Sequence, residues 1–395
     1  MLRVLTLSTL FPDASRPNFG IFVERQTCEL AGRPGIDLKV IAPIGLPPGP
    51  LARMGHYQPL AALPMRETWR GLDVRRPRFA TIPGTGGRFH VTGLFRALVP
   101  LLDQLRDDFP FDVIDAEFFF PDGPAAVALG ARYGVPVSIK ARGADIHHWG
   151  HGPTAPQVRR AGRMADGMLA VSAAMKDDMA ALGLPAERIR VHHTGVDLDR
   201  FRPSPGHGAN ASLNVAGPLI VSVGALIPRK GHDIVIDAIK ALPQATLLIA
   251  GEGPERAALE ARIAAAGLAE RVRLLGAIAH DALPALLAAA DVMALASSSE
   301  GLANAWVEAL ACGTPIVITD AGGAREVVTS AGAGRIVARE PAAFAAAIDD
   351  LLRSPPPRDE VRKAAAGFTW PANAAALHAH LSGLVDAAPQ QRRRA

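Results

Sequence analysis

Residues 291–320, DVMALASSSEGLANAWVEALACGTPIVITD, hold the pattern that decides the fold. An apolar strand runs into a small polar loop, a short helix follows, and a second apolar strand closes the unit. This is the strand–helix–strand alternation of a parallel α/β sheet. Glu300 ends the loop after the first strand, and Glu308 stands eight positions later. Asn304 is a residue type that caps helices, which places Glu308 in the first helical turn. The backbone N–H groups of Gly301, Leu302, Ala303 and Asn304 then face whatever ligand lies above the strand. A helix N-terminus there favours an anion such as a diphosphate. A carboxylate that merely complements a helix dipole accounts for Glu308 without any function. It does not account for Glu300, which precedes the cap at a strand's carboxyl end.

The same alternation extends outward in both directions. In the first half, strands are predicted at residues 4–8, 38–42, 113–116, 137–140, 167–171 and 189–192, with helices at 22–30, 92–106, 124–133 and 173–182 between them. The insertion 45–87, rich in Pro, Gly and Arg, is predicted to carry a hairpin around 73–78. The run PSPGHGANASLNVAGP at 203–218 has linker composition. Strands resume at 219–224, 246–251, 272–275, 292–296, 315–319 and 335–338, and one of the intervening helices covers 254–266. The reading is an α/β chain of two Rossmann-like, doubly wound parallel-sheet domains facing a central cleft. Residues 1–203 form the first domain, 204–217 the linker and 218–366 the second domain. Residues 367–395 form a C-terminal helix that packs back on the first domain and then frays. Ligands of such sheets lie outside the carboxyl ends of the strands.

Four further segments carry candidate chemistry. In VSVGALIPRKGHD, Gly224 ends a strand and Lys230 precedes a helix, a turn that can approach a phosphate with a point charge, and Arg229 stands beside it. In LLIAGEGPERAAL, Gly251 and Gly253 make a tight strand-to-helix turn without the full glycine run or the acidic residue of a dinucleotide site. The third is RVRLLGAIAHDALPALLAAAD, which includes Ile278. The fourth is the N-terminal loop 11–23, in which Gly20 marks a helix start where backbone can approach a ligand.

Taken in order, these motifs resemble the retaining glycosyltransferases of the GT-B fold, the large family 4 (group 1). The spacing Glu-x7-Glu followed by EALACG is similar to that family's donor-sugar signature. The resemblance implies that Lys230 clamps the donor diphosphate, that backbone near Ile278 meets the base, that Glu308 accepts from ribose hydroxyls and that Glu300 accepts from sugar hydroxyls. Carboxylates suit vicinal hydroxyls, which gives both assignments a physical basis. The family's usual diphosphate arginine falls at Ala225, so Arg229 is the candidate to supply that charge. PDGPAAVALGARYGVPVSIKARGADIHHW and the N-terminal loop resemble a subgroup that builds exopolysaccharides, capsules and teichuronic-type polymers. Arg142 stands where many family members have a histidine, and Arg142 and Asp145 are the acceptor-side candidates. The implied activity is transfer of a sugar from a UDP- or GDP-sugar to a polysaccharide or lipid-linked saccharide, with Glu300, Lys230 and Arg229 catalytic and no cofactor or metal. Two rival readings stay open: a catalytically silent nucleotide-sugar-binding subunit, kept alive by Ala225 and Arg142, and a sugar 2-epimerase of the same fold.

Composition narrows the remaining classes. The 395 residues, 49% hydrophobic and 20% charged, suffice for two cores. Cys28 and Cys312 lie far apart in predicted helices, which gives no disulfide framework and no zinc spacing and fits a reducing cytoplasm. The apolar N-terminus is read as a first buried strand rather than a signal peptide. Pro284 and Asp291 interrupt the apolar stretch 283–296, which is therefore no membrane span. The net charge of +4 is concentrated in the first half, where Arg66, Arg70, Arg75, Arg76, Arg78 and Arg88 crowd one segment. That segment reads either as a solvated surface or as a face for anionic lipid head groups or a lipid diphosphate. Nucleic acid is not expected, since no binding motif accompanies the charge. His147, His148 and His151 lack the intervening Glu of the metalloprotease pattern. Asp197 and Asp199 are formally DxD but fall in a segment resembling the close of the family's first domain. No metal is expected at either place.

Overall fold

The computed structural model describes residues 1–203, 215 and 217–392. Most of the expected linker 204–217, and the last three residues of the expected frayed tail, lie outside the described residues. The chain forms two compact units, Met1–Gly195 with Trp370–Ala395 and Val196–Thr369. Residues 196–203, assigned from sequence to the first domain, thus belong to the second unit. Val196 bridges to Thr369 there, and Arg362 donates to the carbonyls of Leu198 and Phe201.

In the first unit the strands are β1 (Leu2–Leu7), β2 (Ile36–Ile41), β3 (Ile44–Leu46), β4 (Arg66–Trp69), β5 (Leu72–Arg75), β6 (Arg78–Ala80), β7 (Val113–Ala116), β8 (Val137–Ala141), β9 (Gly167–Ala170) and β10 (Ile189–Val191). Eight form one sheet in the order β10-β9-β8-β7-β1-β2-β5-β4, while β3 and β6 pair separately. All pairs are parallel except β4–β5. The central strands β7, β8 and β9 are buried throughout, as expected of a parallel sheet covered on both faces. The helix Trp370–Arg392 lies on the helix Ile21–Ala31. Its Ala374, Leu377 and Leu381 share one apolar cluster with Val4, Leu30, Val113 and Leu169.

The insertion departs from its expected form. The hairpin is β4–β5, with its turn at Arg70 and Gly71 rather than near 73–78. Both turn residues have positive φ (49° and 85°), the geometry a two-residue hairpin loop demands, and Gly71 supplies half of it without strain. Residues 78–80 form β6 beside β3 instead.

The second unit has one six-stranded parallel sheet. Its strands are β11 (Leu219–Val223), β12 (Thr246–Ala250), β13 (Val272–Gly276), β14 (Val292–Leu295), β15 (Ile316–Thr319) and β16 (Gly334–Val337), in the order β13-β12-β11-β14-β15-β16. Helices His232–Ile239 and Pro341–Arg353 pack on it with Ile220, Leu247, Val292 and Val317 in one core. The order reverses between β11 and β14, which makes that pair the topological switch point where open α/β sheets bind ligands.

Candidate active site

The sequence-predicted donor residues other than Gly20 lie at the carboxyl ends of β11, β12, β13 and β14. After β11 the chain passes Gly224 and Ala225, makes a short 3₁₀ turn at Pro228–Lys230, and enters the helix His232–Ile239 through Gly231. Gly231 has φ 66°, and a Cβ there would stand 2.2 Å from the carbonyl oxygen of Ala296 at the end of β14. Only glycine allows this loop to lie against the next strand's exit. Ser298 N–H donates to the Arg229 carbonyl at 2.8 Å, and Arg339 donates to both Ala296 and Pro228. The two loops are therefore bound to each other by backbone.

Their side chains meet at Glu300. Lys230 Nζ lies 2.6 Å from Glu300 Oε1, and an Arg229 guanidinium nitrogen lies 3.2 Å from Oε2. Arg229 also donates to the Ser299 carbonyl. Glu300 is 8% exposed. Burial pushes its carboxyl upward, but the charges of Lys230 and Arg229 overcome that and hold it below the ordinary glutamate value. Two cations thus share one buried carboxylate, and the group keeps a net positive charge.

The helix after this loop runs Asn304–Ala311. Asn304 is its first residue, Ala303 is the cap, and no side chain caps it, which corrects the expected asparagine cap. Glu308 accordingly sits in the second turn rather than the first. Its Oε1 is 2.9 Å from His280 Nε2. Gly301, Leu302 and Ala303 are buried, and the Gly301 carbonyl accepts from Gly323 N–H at 2.8 Å. Gly251 and Gly253 follow β12, where a Cβ on Gly251 would lie 1.8 Å from the Gly224 carbonyl and one on Gly253 2.4 Å from the Leu226 carbonyl. These glycines pack the β12 turn onto the Lys230 loop. Ile278 lies on the loop leaving β13, half-buried.

The first-unit candidates are more enclosed. Gly20, at φ 70°, heads the helix Ile21–Ala31, and a Cβ there would meet the Leu10 carbonyl at 2.4 Å. Its lack of a side chain thus serves the chain's own packing. Arg142 forms an ion pair with Glu117, both almost fully buried, and donates to the Glu117 carbonyl at 2.8 Å. Asp145 accepts from the backbone N–H groups of Phe119, Arg142 and Gly143, so it shapes the loop that carries Arg142. Glu117 is one of the residues sequence reading missed. It belongs to a buried polar set with Gln26, Lys140 and His192 that no local pattern marks. His280 and Arg339 were missed for the same reason.

The discounted motifs have local explanations. Asp197 accepts from the N–H groups of Asp199 and Arg200 at 3.1 Å, a turn cap. His147 Nε2 lies 2.8 Å from Asp178. Among the described residues, no group of three His, Cys, Asp or Glu is arranged to hold a metal ion, and no helix is long and apolar enough to cross a membrane. The arginine segment is largely spoken for: Arg76 is fully buried on Glu67 and the Pro12 carbonyl, Arg66 pairs with Asp73, Arg70 with Glu24, and Arg78 donates to the carbonyls of Arg76 and Leu63.

Two family models match the chain: Glycosyltransferase Family 4 over residues 23–200 and Glycosyl transferases group 1 over residues 209–368. The chain is 33% identical to a GDP-mannose-dependent α-(1-6)-phosphatidylinositol monomannoside mannosyltransferase of Mycolicibacterium smegmatis, over 63% of this chain and 68% of that protein. It is 27% identical to a Bacillus subtilis protein named as a teichuronic acid biosynthesis glycosyltransferase, over 82% of each. Among solved structures, sucrose-phosphate synthase of Thermosynechococcus elongatus superposes with a TM-score of 0.80 at 20% identity, over 98% of this chain and 100% of that one. Anabaena HepE in complex with UDP-glucose superposes with a TM-score of 0.66 at 22% identity, over 100% of both chains. With its two Rossmann-like units, the chain has the GT-B fold and belongs to the group 1, family 4 glycosyltransferases.

Proposed function

We propose that this glycosyltransferase is a retaining enzyme that moves a sugar from a UDP- or GDP-sugar to a polysaccharide or lipid-linked saccharide, in assembly of an exopolysaccharide, capsule or teichuronic-type polymer. The observation that carries the reading is the convergence of Lys230 and Arg229 on Glu300 at the switch point of the second sheet. During transfer the anomeric carbon becomes oxocarbenium-like while negative charge grows on the departing diphosphate. Lys230, Arg229 and the N–H groups from Gly301 to Asn304 stabilise that charge, the preorganised electrostatics that usually dominates catalysis. With that charge met by side chains and backbone, the reaction requires no divalent ion. Glu300 accepts from sugar hydroxyls and Glu308 from ribose hydroxyls. The departing phosphate takes the acceptor proton on the same face. Arg229 supplies the charge that Ala225 lacks, which weighs against a catalytically silent subunit. Arg142, held by Glu117, is the acceptor-side contact, and Asp145 holds its loop.

The names of the relatives support the acceptor class, one a phosphatidylinositol monomannoside mannosyltransferase and one in teichuronic acid biosynthesis. Peripheral contact with an anionic membrane goes with such an acceptor. Its seat is not the paired arginines but the loops leaving β3 and β6. These strands are parallel, so both loops emerge at one end. They expose Leu51, Met54, Ile82 and Phe89 at 44–61%, with exposed Arg53 and Arg88. The nearest acids in sequence, Glu67 and Asp73, sit on the hairpin and are ion-paired. Exposed apolar groups with cations suit an anionic interface. In liposome co-sedimentation, changing these four apolar residues to Ser should abolish low-salt binding. Equal sedimentation of both proteins would remove this face from the proposal.

Calorimetric titration with UDP-, GDP- and ADP-sugars and with NAD tests the donor reading. Binding of a UDP- or GDP-sugar and none of NAD is expected. Tight NAD binding, or no sugar nucleotide bound, overturns it. NMR of the product's anomeric centre tests retention, and an inverted configuration overturns that part alone.

A further inference from the structure

Glu308 is not free to turn on its helix. Its contact with His280 joins two side chains that are 12% and 15% exposed. His280 follows Ile278 by two residues on the loop leaving β13, and its ring meets Phe201 edge-on with centroids 5.5 Å apart. Phe201 is fully buried. Arg362 donates to the Phe201 carbonyl and to the carbonyl of Ala311, the last residue of the helix that carries Glu308. The imidazole is thus packed against a ring whose backbone is tied to Glu308's own helix, while its Nε2 takes one of the two carboxylate oxygens.

A glutamate side chain has three rotatable bonds, and their freedom is lost when it holds a ligand. A partner that fixes the carboxylate beforehand removes that loss from binding. Resting on the reading of Glu308 as the ribose acceptor, we propose that His280 is a positioning residue that occupies Oε1 of Glu308, presents Oε2 to the ribose hydroxyls, and so sets the preference for ribonucleotides over deoxyribonucleotides. It also links the loop beside the base to the helix beside the ribose. A site built to bond a hydroxyl discriminates against the analogue that lacks it, because the buried acceptor is then left unpaired. The quality of that discrimination depends on how firmly the acceptor is held.

Calorimetry with UDP, GDP and ADP and their 2′-deoxy counterparts tests this on the whole chain, for the wild type and for His280→Ala, His280→Gln and Glu308→Ala. The wild type should prefer its best ribonucleotide by about tenfold or more, the scale of one well-placed bond to a charged group. His280→Ala should weaken the ribonucleotide about five- to tenfold and leave the deoxy form nearly unchanged, since it removes only the ordering of that acceptor. His280→Gln, whose amide can donate to the carboxylate, should restore most of the preference. Equal weakening of both forms by His280→Ala would make the histidine a loop-packing residue and overturn the proposal, as would no effect on either. If Glu308→Ala keeps the ribose preference, or if none of the three diphosphates binds, the placement of ribose at Glu308 fails instead and takes this inference with it.

Discussion

Lys230 Nζ and Glu300 Oε1 stand 2.6 Å apart although 70 residues separate them in the chain. The contact exists because β11 and β14 are neighbours at the point where the strand order reverses. Each strand ends in a loop, and Gly231 lets the first loop close on the second. A buried carboxylate between two cations is held ionised and oriented, and the cations remain fixed at the foot of the helix Asn304–Ala311. Fixed charges of this kind need no reorganisation when a diphosphate departs.

Removing either partner should therefore disable transfer. Lys230→Ala and Glu300→Gln are each expected to lower turnover at least about a hundredfold, the scale of losing one transition-state charge partner. Burial of Glu300 adds a second effect: Lys230→Ala leaves a mostly desolvated carboxylate with Arg229 alone and should cost roughly 1–3 kcal/mol of stability. Donor-consumption kinetics with urea unfolding separates the two effects. Full activity in either variant removes the site assignment.

Arginines a few residues apart should behave oppositely. Arg76 is fully buried between Glu67 and the Pro12 carbonyl, so Arg76→Ser removes a packed side chain, leaves that carbonyl without its donor and should cost about 1–3 kcal/mol. Arg66 is 65% exposed beside Asp73, a solvent-screened pair, and Arg66→Ser should leave stability nearly unchanged. Denaturation midpoints check both. A stable Arg76→Ser protein would contradict the buried pairing.

Three buried histidines should make the fold sensitive to acid. Burial, followed by the charge of Lys140, lowers His192 to about 3, and burial lowers His380 and His232 to about 4. Unfolded histidine titrates near 6.5, so between about pH 6.5 and 4 the unfolded chain binds more protons and stability falls as pH drops, by up to about 1.4 kcal/mol per unit per residue. Asp122, raised by burial to about 8, works in the opposite sense over the same window. The test is thus the difference between wild type and His380→Gln, whose amide can still reach Ser138. The variant should lose less stability between pH 6.5 and 4.5, and parallel pH curves would show that His380 does not stay neutral.

If Lys230, Arg229 and the helix terminus meet the diphosphate charge as proposed, transfer should continue in excess chelator. Turnover measured before and after EDTA, with Mg²⁺ and Mn²⁺ restored, checks this. Loss in EDTA with recovery on adding metal would contradict it and direct attention to Asp197 and Asp199 or the histidine cluster.

Local pattern determined the elements of this protein. Buried parallel strands are short apolar runs, and β7 at 113–116 and the helix starting at Ala173 fall where the residues alone place them. Glu300 and Lys230 were also legible, because charged residues at the ends of apolar strands stand out in one dimension. Tertiary structure decided which of these meet. It placed β11 beside β14, buried Arg76 while leaving Arg66 exposed, gave residues 196–203 to the second unit, and set His280 on Glu308. It also moved the hairpin turn to Arg70 and Gly71, where two positive φ values were needed and only one glycine announced them. The reason is physical. Hydrophobic periodicity reports which face of an element is buried, an interaction each residue has with solvent. Ion pairs and packed rings depend on neighbours dozens of residues away, and those neighbours exist only once the sheet order is set.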